Sequence, residues 1–200
     1  MSPRIISGAA GGRRLAVLPG RMTRPTSDRA REGLFATVEA IRGGLAGARV
    51  LDLYAGSGAV GLEALSRGAA DVLLVEADAR AARVIRENAA ALGLAGAHVV
   101  NDRAARLLAR GRGELAPRDF VFADPPYRVS DSELTTVLSA LARDWLVPGA
   151  VVAIERATRS GPPTWPAGYE PDRSRRYGEA TLWYGLAASG KLMASSPTGA

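Results

Sequence analysis

Two stretches of this sequence combine residue types that could bind a nucleoside and act on it. The first runs from Val50 to Glu63 and has the pattern of a strand, a glycine turn and a helix, with Asp52 at the strand end. Gly56 and Gly58 would let a ligand approach the backbone closely, and the helix that follows would present N–H groups to it. With Gly61, these glycines would suit NAD equally well. Asp52 favours S-adenosylmethionine instead, because a carboxylate repels a pyrophosphate and attracts an ammonium.

The second stretch is Phe122 to Tyr127, where two successive prolines follow a predicted strand and lock the backbone. The Asp124 carboxylate and the Pro125 carbonyl could accept the two N–H bonds of a planar exocyclic amine. Tyr127 could stack on the ring that carries this amine. The candidate catalytic residues are therefore Asp124, Pro125, Pro126 and Tyr127, which would hold an exocyclic amine. The alternative is a plain Pro-Pro turn with Tyr127 in the core.

Strands and helices alternate from Arg49 onward, which predicts an α/β fold with an open, mostly parallel sheet covered by helices on both faces. The predicted strands are Arg49 to Tyr54, Asp71 to Glu76, His98 to Val100, Phe120 to Ala123 and Ala150 to Glu155. The predicted helices are Val60 to Arg67, Ala79 to Leu92, Arg103 to Arg110 and Asp131 to Ala142. A final hairpin, Arg173 to Tyr177 and Ala180 to Leu186, would add antiparallel strands. Ligands of such sheets bind outside the carboxyl ends of the strands.

Further acids follow the predicted strands at that edge. Glu76 ends the second strand, near the distance from the glycine turn at which an acid binds ribose hydroxyls. Asp102 follows the third strand and could accept from an adenine amino group, although it could equally cap a helix. The predicted cofactor site comprises Asp52, Tyr54, Ala55, Gly56, Ser57, Gly58, Glu76, Ala77, Asp102 and Asp124.

The net charge of +6 is concentrated at one end of the chain. Residues 1 to 31 contain seven arginines and one acid, whereas the remainder is neutral, which is the pattern expected where a protein meets a polyanion. A genome rich in arginine codons would explain why Lys191 is the only lysine, but not this asymmetry. The predicted RNA-binding residues are Arg4, Arg13, Arg14, Arg21, Arg24 and Arg29.

Composition excludes several mechanisms. The chain has no cysteine, so it can use neither a cysteine nucleophile nor a thiolate metal site, and with His98 as its single histidine it is expected to bind no metal. No apolar stretch is long enough to span a membrane, and the first residues lack the apolar core of a signal peptide. We expect a cytoplasmic protein, without a membrane partner, that works as a monomer.

The chain divides into three segments at this level. Residues 1–22 are predicted to form a basic β-hairpin extension, with strands at Arg4 to Ser7 and Arg13 to Leu18 around a glycine-rich tip. Residues 23–186 would form the methyltransferase domain, beginning with a helix that is capped by Thr26 or Ser27 and ended by Gly43 and Gly44. Residues 187–200 are predicted to be a disordered tail.

The glycine turn and the Asp-Pro-Pro-Tyr motif together resemble the amino-group methyltransferases of the Rossmann-like class I S-adenosylmethionine-dependent fold. Within that class, four further stretches resemble the bacterial guanine-N2 methyltransferases of 16S ribosomal RNA: Arg4 to Gly8, Gly12 to Leu15, Thr23 to Arg29 and Leu65 to Ala69. The resemblance runs from about Arg4 to Leu186. It implies a seven-stranded sheet with an antiparallel C-terminal hairpin. It also implies methylation of the N2 amine of a guanine in 16S ribosomal RNA or a small-subunit assembly particle. Asp124, Pro125 and Tyr127 match its catalytic motif.

Four alternatives remain open from the sequence. An adenine-N6 methyltransferase acting on DNA or RNA would use the same Asp-Pro-Pro-Tyr motif. Methyl transfer to a protein glutamine usually goes with Asn in place of Asp124. An NAD-dependent oxidoreductase would use the glycines but would have no use for Asp-Pro-Pro-Tyr. A non-catalytic RNA-binding protein would bind the cofactor without turnover.

Overall fold

The computed structural model describes residues 2–18 and 27–189 of the chain. Arg21, Arg24, the alternative helix cap Thr26 and the last eleven residues of the predicted tail lie outside the described residues. The elements in chain order are α1 (Asp28–Arg42), β1 (Arg49–Leu53), α2 (Ala59–Ser66), β2 (Asp71–Glu76), α3 (Ala79–Leu92), β3 (Ala97–Asn101), α4 (Ala104–Ala109), β4 (Arg118–Ala123), α5 (Asp131–Asp144), β5 (Leu146–Ala157), β6 (Tyr169–Tyr177) and β7 (Ala180–Ala187).

Seven strands of the described residues form one sheet in the order β3-β2-β1-β4-β5-β7-β6. The strands β1 to β5 pair with one another in parallel, and β7 is antiparallel to both β5 and β6. The α/β architecture and the antiparallel C-terminal hairpin expected from the sequence are confirmed. Because β1 and β4 are adjacent in the middle of the sheet, the loops that follow them share one edge.

Side chains alternate between two cores, one on each face of the sheet. The first core packs β-strand residues against α1, α2 and α3, and the second packs them against α4 and α5. Along β1, for example, Val50 belongs to the first core, whereas Leu51 and Leu53 belong to the second. Strands buried on both faces read as continuous apolar runs, which is why the pattern predicted them well.

The helix ends follow local rules that the sequence already displayed. The Ser27 hydroxyl accepts from the Ala30 N–H at the start of α1, and Gly43 ends that helix in the left-handed conformation. At α5, Ser130 and Glu133 form a reciprocal capping box. The largest errors in the predicted limits are at two strand starts. β5 begins at Leu146 rather than Ala150, and β6 begins at Tyr169 rather than Arg173. Ala187, the first residue of the predicted tail, still pairs in β7.

The N-terminal segment is a hairpin-like turn that is packed into the domain. Arg4 and Arg14 form an antiparallel bridge, and the Ile5 N–H donates to the Arg13 carbonyl at 2.8 Å. Ile5, Ala10 and Leu15 are buried in the first core. The segment predicted as an extension therefore packs into the same core as the sheet and its helices.

Candidate active site at the carboxyl edge of the sheet

The Asp-Pro-Pro-Tyr segment and the glycine loop lie at the same edge of the sheet. Leu53 at the end of β1 pairs with Ala123 at the end of β4, so Asp124 follows directly beside Tyr54. Ala123 in turn pairs with Ile154 of β5, which places Glu155 on the other side of Asp124. The register thus brings the predicted cofactor loop and the predicted catalytic motif together.

Three carboxylates share one face of this edge. Residues two apart on a strand point to the same face. Asp52 lies two residues after Val50, and Asp124 and Glu155 lie two residues after Phe122 and Ala153; all three reference residues belong to the first core. Asp52, Asp124 and Glu155 therefore converge on the face that also carries α1 and α2. Such a group of negative charges suits a cationic ligand.

Burial and neighbouring negative charges raise the pKa of two of these carboxylates. Desolvation, opposed by a hydrogen bond from the Gly61 N–H and reinforced by the charge of Glu76, raises the pKa of Asp52 to about 7. Desolvation, with the charges of Glu155 and Asp52, raises the pKa of Asp124 to about 8. A bound cation would favour the ionised form of both. Carboxylates with strongly shifted pKa values in a crevice are typical of functional sites.

The glycine loop is held to β2 by Glu76. Its Oε2 accepts from the Gly56 N–H at 2.8 Å, and its Oε1 accepts from the Asp78 N–H at 2.8 Å. Gly56 has a φ of +59°, and a Cβ there would meet nothing closer than the Tyr54 carbonyl at 4.0 Å, so its backbone borders open space. Tyr54 itself has a φ of +64°, which a non-glycine residue rarely adopts. Strained backbone is thus retained at the point where the chain leaves β1.

A cavity of about 550 Å³ lies beside the ends of β2 and β3, of a size that suits a nucleoside. It is lined by Ala77, Asn101, Asp102, Arg103, Ala105 and Arg106. Asp102 is buried, and desolvation would raise its pKa, but hydrogen bonds from Arg106 and the Arg103 N–H and the charge of Arg110 lower it below the usual range. Asp102 is therefore ionised and already accepts three hydrogen bonds, at 2.5 to 2.7 Å. An adenine amino group that contacts Asp102 would have to share the carboxylate oxygens with these three donors.

The Asp-Pro-Pro-Tyr segment presents acceptors and an open ring. The Pro126 carbonyl accepts from the Val129 N–H at 2.8 Å, which closes a turn. Within the described residues, neither the Pro125 carbonyl nor the half-buried Asp124 carboxylate accepts a hydrogen bond. Tyr127 is 80% exposed, so the alternative in which it is a core residue is wrong. An exposed ring beside two available acceptors fits a site for a planar amine.

Some of the arginines predicted to bind RNA contact other protein groups, whereas others are exposed. Arg13 donates to the Ala91 and Leu92 carbonyls at the end of α3, and the Arg4 Nε donates to Asp28 at 3.1 Å. Arg14 and Arg29 are exposed, and Arg29 lines a shallow pocket with Arg176 of β6. Arg31, which contributed to the charge count, is buried and donates to Asp28 and to the Arg4 carbonyl.

Two buried polar residues that join the N-terminal segment to the site were missed by sequence reasoning. Glu63 of α2 accepts from the Ile6 and Ser7 N–H groups. Asn88 of α3 exchanges hydrogen bonds with Ala16 and donates to the Ser57 carbonyl in the glycine loop at 3.2 Å. Glu63, as the single acid in the largely apolar sequence of α2, was the available signal, because a buried carboxylate needs donors.

Two further properties of residues 2–18 and 27–189 bear on function. Across these residues, His, Asp and Glu side chains form no group of three or more that could hold a metal ion. None of the helices in the same ranges is long and apolar enough to cross a membrane.

Comparisons with known proteins agree with this geometry. A family described as Conserved hypothetical protein 95 matches residues 3–185. Ribosomal RNA small subunit methyltransferase D of Escherichia coli K12 is 39% identical over 176 residues, which cover 88% of this chain and 85% of that protein. The solved structure of the Escherichia coli protein yhhF superposes with a TM-score of 0.82 at 34% identity, covering 95% of this chain and all of the other.

A more distant structure shows the same fold. Magnesium protoporphyrin IX methyltransferase from Synechocystis, solved with bound S-adenosylmethionine, gives a TM-score of 0.61 at 15% identity and covers 80% of this chain and 79% of its own. The fold is thus that of S-adenosylmethionine-dependent methyltransferases, as the resemblance implied.

Proposed function

We propose that this chain transfers a methyl group from S-adenosylmethionine to the exocyclic N2 amine of a guanine in 16S ribosomal RNA. The chain belongs to the family described as Conserved hypothetical protein 95, is similar over most of its length to ribosomal RNA small subunit methyltransferase D, and is a methyltransferase. The observation that carries the proposal is the placement of Asp124 and the Pro125 carbonyl beside the glycine loop, at the carboxyl edge of neighbouring strands.

The residues at this edge fit the cofactor. Buried Asp52 accepts one hydrogen bond among the described residues, from the Gly61 N–H, so its carboxylate retains acceptor positions for an ammonium group. Glu76 is held in place by the Gly56 and Asp78 N–H groups and can still accept from ribose hydroxyls, because each carboxylate oxygen has two acceptor positions. The cavity beside Ala77 and Asp102 has room for an adenine ring.

The bound cofactor supplies an electrophilic methyl group on a sulfonium, which is already a good leaving group. The chain's own task is to orient an amine whose lone pair is delocalised into its ring. Asp124 and the Pro125 carbonyl would accept its two N–H bonds and so fix the direction of the lone pair. Such alignment is worth up to roughly 7 to 11 kcal/mol when complete. Because the nitrogen becomes acidic only after it has gained the methyl group, Asp124 acts as orienter and final proton acceptor.

The target base must leave its stack to reach these acceptors, at a cost of a few kcal/mol. Stacking on the exposed ring of Tyr127 would return about 1 to 3 kcal/mol of that cost. The exposed arginines of the N-terminal segment and of α1, Arg14 and Arg29, would contact RNA phosphates. Naked 16S RNA and a small-subunit assembly particle both offer such phosphates.

The test is methyl transfer to ribosomal RNA from cells that lack the gene. Purified protein, labelled S-adenosylmethionine and either 16S RNA or small subunits are incubated, and the RNA is digested to nucleosides. We expect label in N2-methylguanosine. Label in N6-methyladenosine would support the adenine enzyme, and the absence of label from both substrates would overturn the proposed substrate.

A further inference from the structure

We propose that Glu155 reads the target base itself: its carboxylate accepts a hydrogen bond from the N1–H of guanine and thereby selects guanine over adenine. This inference rests on the proposed function, since it names the residue that would set the base specificity of the same site. The sequence motif alone does not separate guanine from adenine, because Asp124 and the Pro125 carbonyl accept equally well from either exocyclic amine.

The position of Glu155 follows from strand register. Ala153 pairs with Phe122, and Ile154 pairs with Ala123, so Glu155 lies beside Asp124 and one strand further from the glycine loop. Both side chains extend from the face that carries the first core. Asp124 thus stands between the cofactor loop on β1 and Glu155 on β5.

Electrostatics show that the two carboxylates interact. After desolvation, the charge of Glu155 is the largest contribution to the raised pKa of Asp124, ahead of that of Asp52. A hydrogen-bond donor placed between the two carboxylates would favour the ionised form of Asp124, in which it acts as an acceptor.

Guanine supplies donors in that arrangement. Its Watson–Crick edge carries the N2 amine and the N1–H side by side, and a flipped base is read through this edge. Asp124 would accept a hydrogen bond from the amine, and Glu155 would accept one from the adjacent N1–H. Adenine places an acceptor lone pair at N1 beside its amine, so the same carboxylate would face a lone pair instead of a proton. A site built around a hydrogen-bond donor rejects the analogue that lacks it.

The discriminating substrate is 2-aminopurine, which keeps the 2-amine of guanine but has an acceptor at N1. After the methylated nucleotide has been mapped with wild-type protein, a 16S RNA carrying 2-aminopurine at that position is compared with the guanine RNA in single-turnover methylation. Glu155→Ala, Glu155→Gln and the control Glu170→Ala, at an exposed position on the edge strand β6, are tested beside the wild type.

We expect wild type and Glu170→Ala to methylate the 2-aminopurine RNA about 10- to 100-fold more slowly than the guanine RNA, the fold-change of one charge-assisted hydrogen bond. Glu155→Ala should lose a similar factor on guanine and nothing further on 2-aminopurine, with unchanged cofactor affinity. Glu155→Gln keeps an acceptor oxygen and should recover part of the preference for guanine. Thermal melting of both variants shows whether a loss of activity is a loss of fold.

Two outcomes are separable. If the wild type forms N2-methylguanosine but Glu155→Ala and wild type show the same ratio between the two RNAs, Glu155 does not read the base and the proposed function stands. If the wild type forms no N2-methylguanosine, the proposed function fails first.

Discussion

The Ile6 backbone N–H donates to the Glu63 Oε2 at 2.6 Å, and this buried contact ties the N-terminal segment to α2. The Oε1 of the same carboxylate accepts from the Ser7 N–H at 3.0 Å and from Arg67 at 2.9 Å. At the adjacent turn, Gly8 has a φ of +83°, and a Cβ there would lie 1.8 Å from the Ser66 carbonyl oxygen, so only glycine fits. The segment that carries the arginines proposed to bind RNA is thus fixed to the helix that follows the glycine loop.

The first prediction concerns Glu63. Glu63→Ala would leave the Ile6 and Ser7 N–H groups without their acceptor, and we expect it to lower the free energy of unfolding by about 3 kcal/mol. Glu63→Gln, which retains one acceptor oxygen, should lose less. Urea denaturation at pH 7 measures both. A loss below about 0.5 kcal/mol for the alanine variant would show that the segment is not held by this residue.

A pair of neighbouring arginines separates structure from RNA binding. Arg13→Ala removes the hydrogen bonds to the end of α3 and should lower the melting temperature. Arg14→Ala should leave melting unchanged and reduce the slope of log RNA affinity against log salt by about 0.7, the contribution of one phosphate contact to single-stranded RNA. Filter binding over a range of salt concentrations gives the slope. An unchanged slope for Arg14→Ala would remove this residue from the RNA interface.

The parts of the fold that the sequence predicted are those determined locally. The buried strands, the cap at Ser27 and the break at Gly43 depend on neighbours in the chain, and the structure has them where the pattern indicated. Glu63 and Asn88 could not be placed, since their partners lie about 57 and 72 residues away in sequence. Glu155 could be seen as a strand-end acid, but only the pairing of β4 with β5 sets it beside Asp124.

The pKa of Asp52 leads to a prediction on stability and pH. Its value of about 7 in the folded protein lies above the ordinary value of 3.8, so the native state holds the proton more tightly than the unfolded state. This contribution to stability is fully present below about pH 4 and is lost as the pH rises through 7. Asp52→Asn cannot ionise and should be more stable than the wild type at pH 8, by about 4 kcal/mol, with little difference at pH 4.

The same substitution should weaken cofactor binding at pH 8, because the amide offers no negative charge to the ammonium. Denaturant unfolding of the cofactor-free protein at both pH values and calorimetric binding at pH 8 check the two effects. Glu170→Gln, on the exposed edge strand, is the control. A variant that binds S-adenosylmethionine as tightly as the wild type would contradict the assignment of Asp52.

Tyr127 is expected to act through its ring face. Tyr127→Ala should lower RNA methylation by about 10- to 100-fold, since stacking of one base is worth about 1 to 3 kcal/mol, and Tyr127→Phe should restore most of it. Because the side chain is 80% exposed, neither change should alter melting. Steady-state kinetics on the ribosomal substrate give the values. Equal losses of methylation in Tyr127→Ala and Tyr127→Phe would show that the hydroxyl is required and not only the ring.

The most direct measurement is single-turnover methylation by Asp124→Ala at saturating cofactor. The carboxylate follows β4 at the edge it shares with the glycine loop, and within the described residues it accepts no hydrogen bond, so its removal should not disturb the fold. We predict that the variant still binds the cofactor, through Asp52, Glu76 and the glycine loop, and that its methylation rate is lower by at least about 100-fold, the usual contribution of a positioned acid–base group. A rate close to that of the wild type would contradict the role of Asp124 as the acceptor that orients the amine.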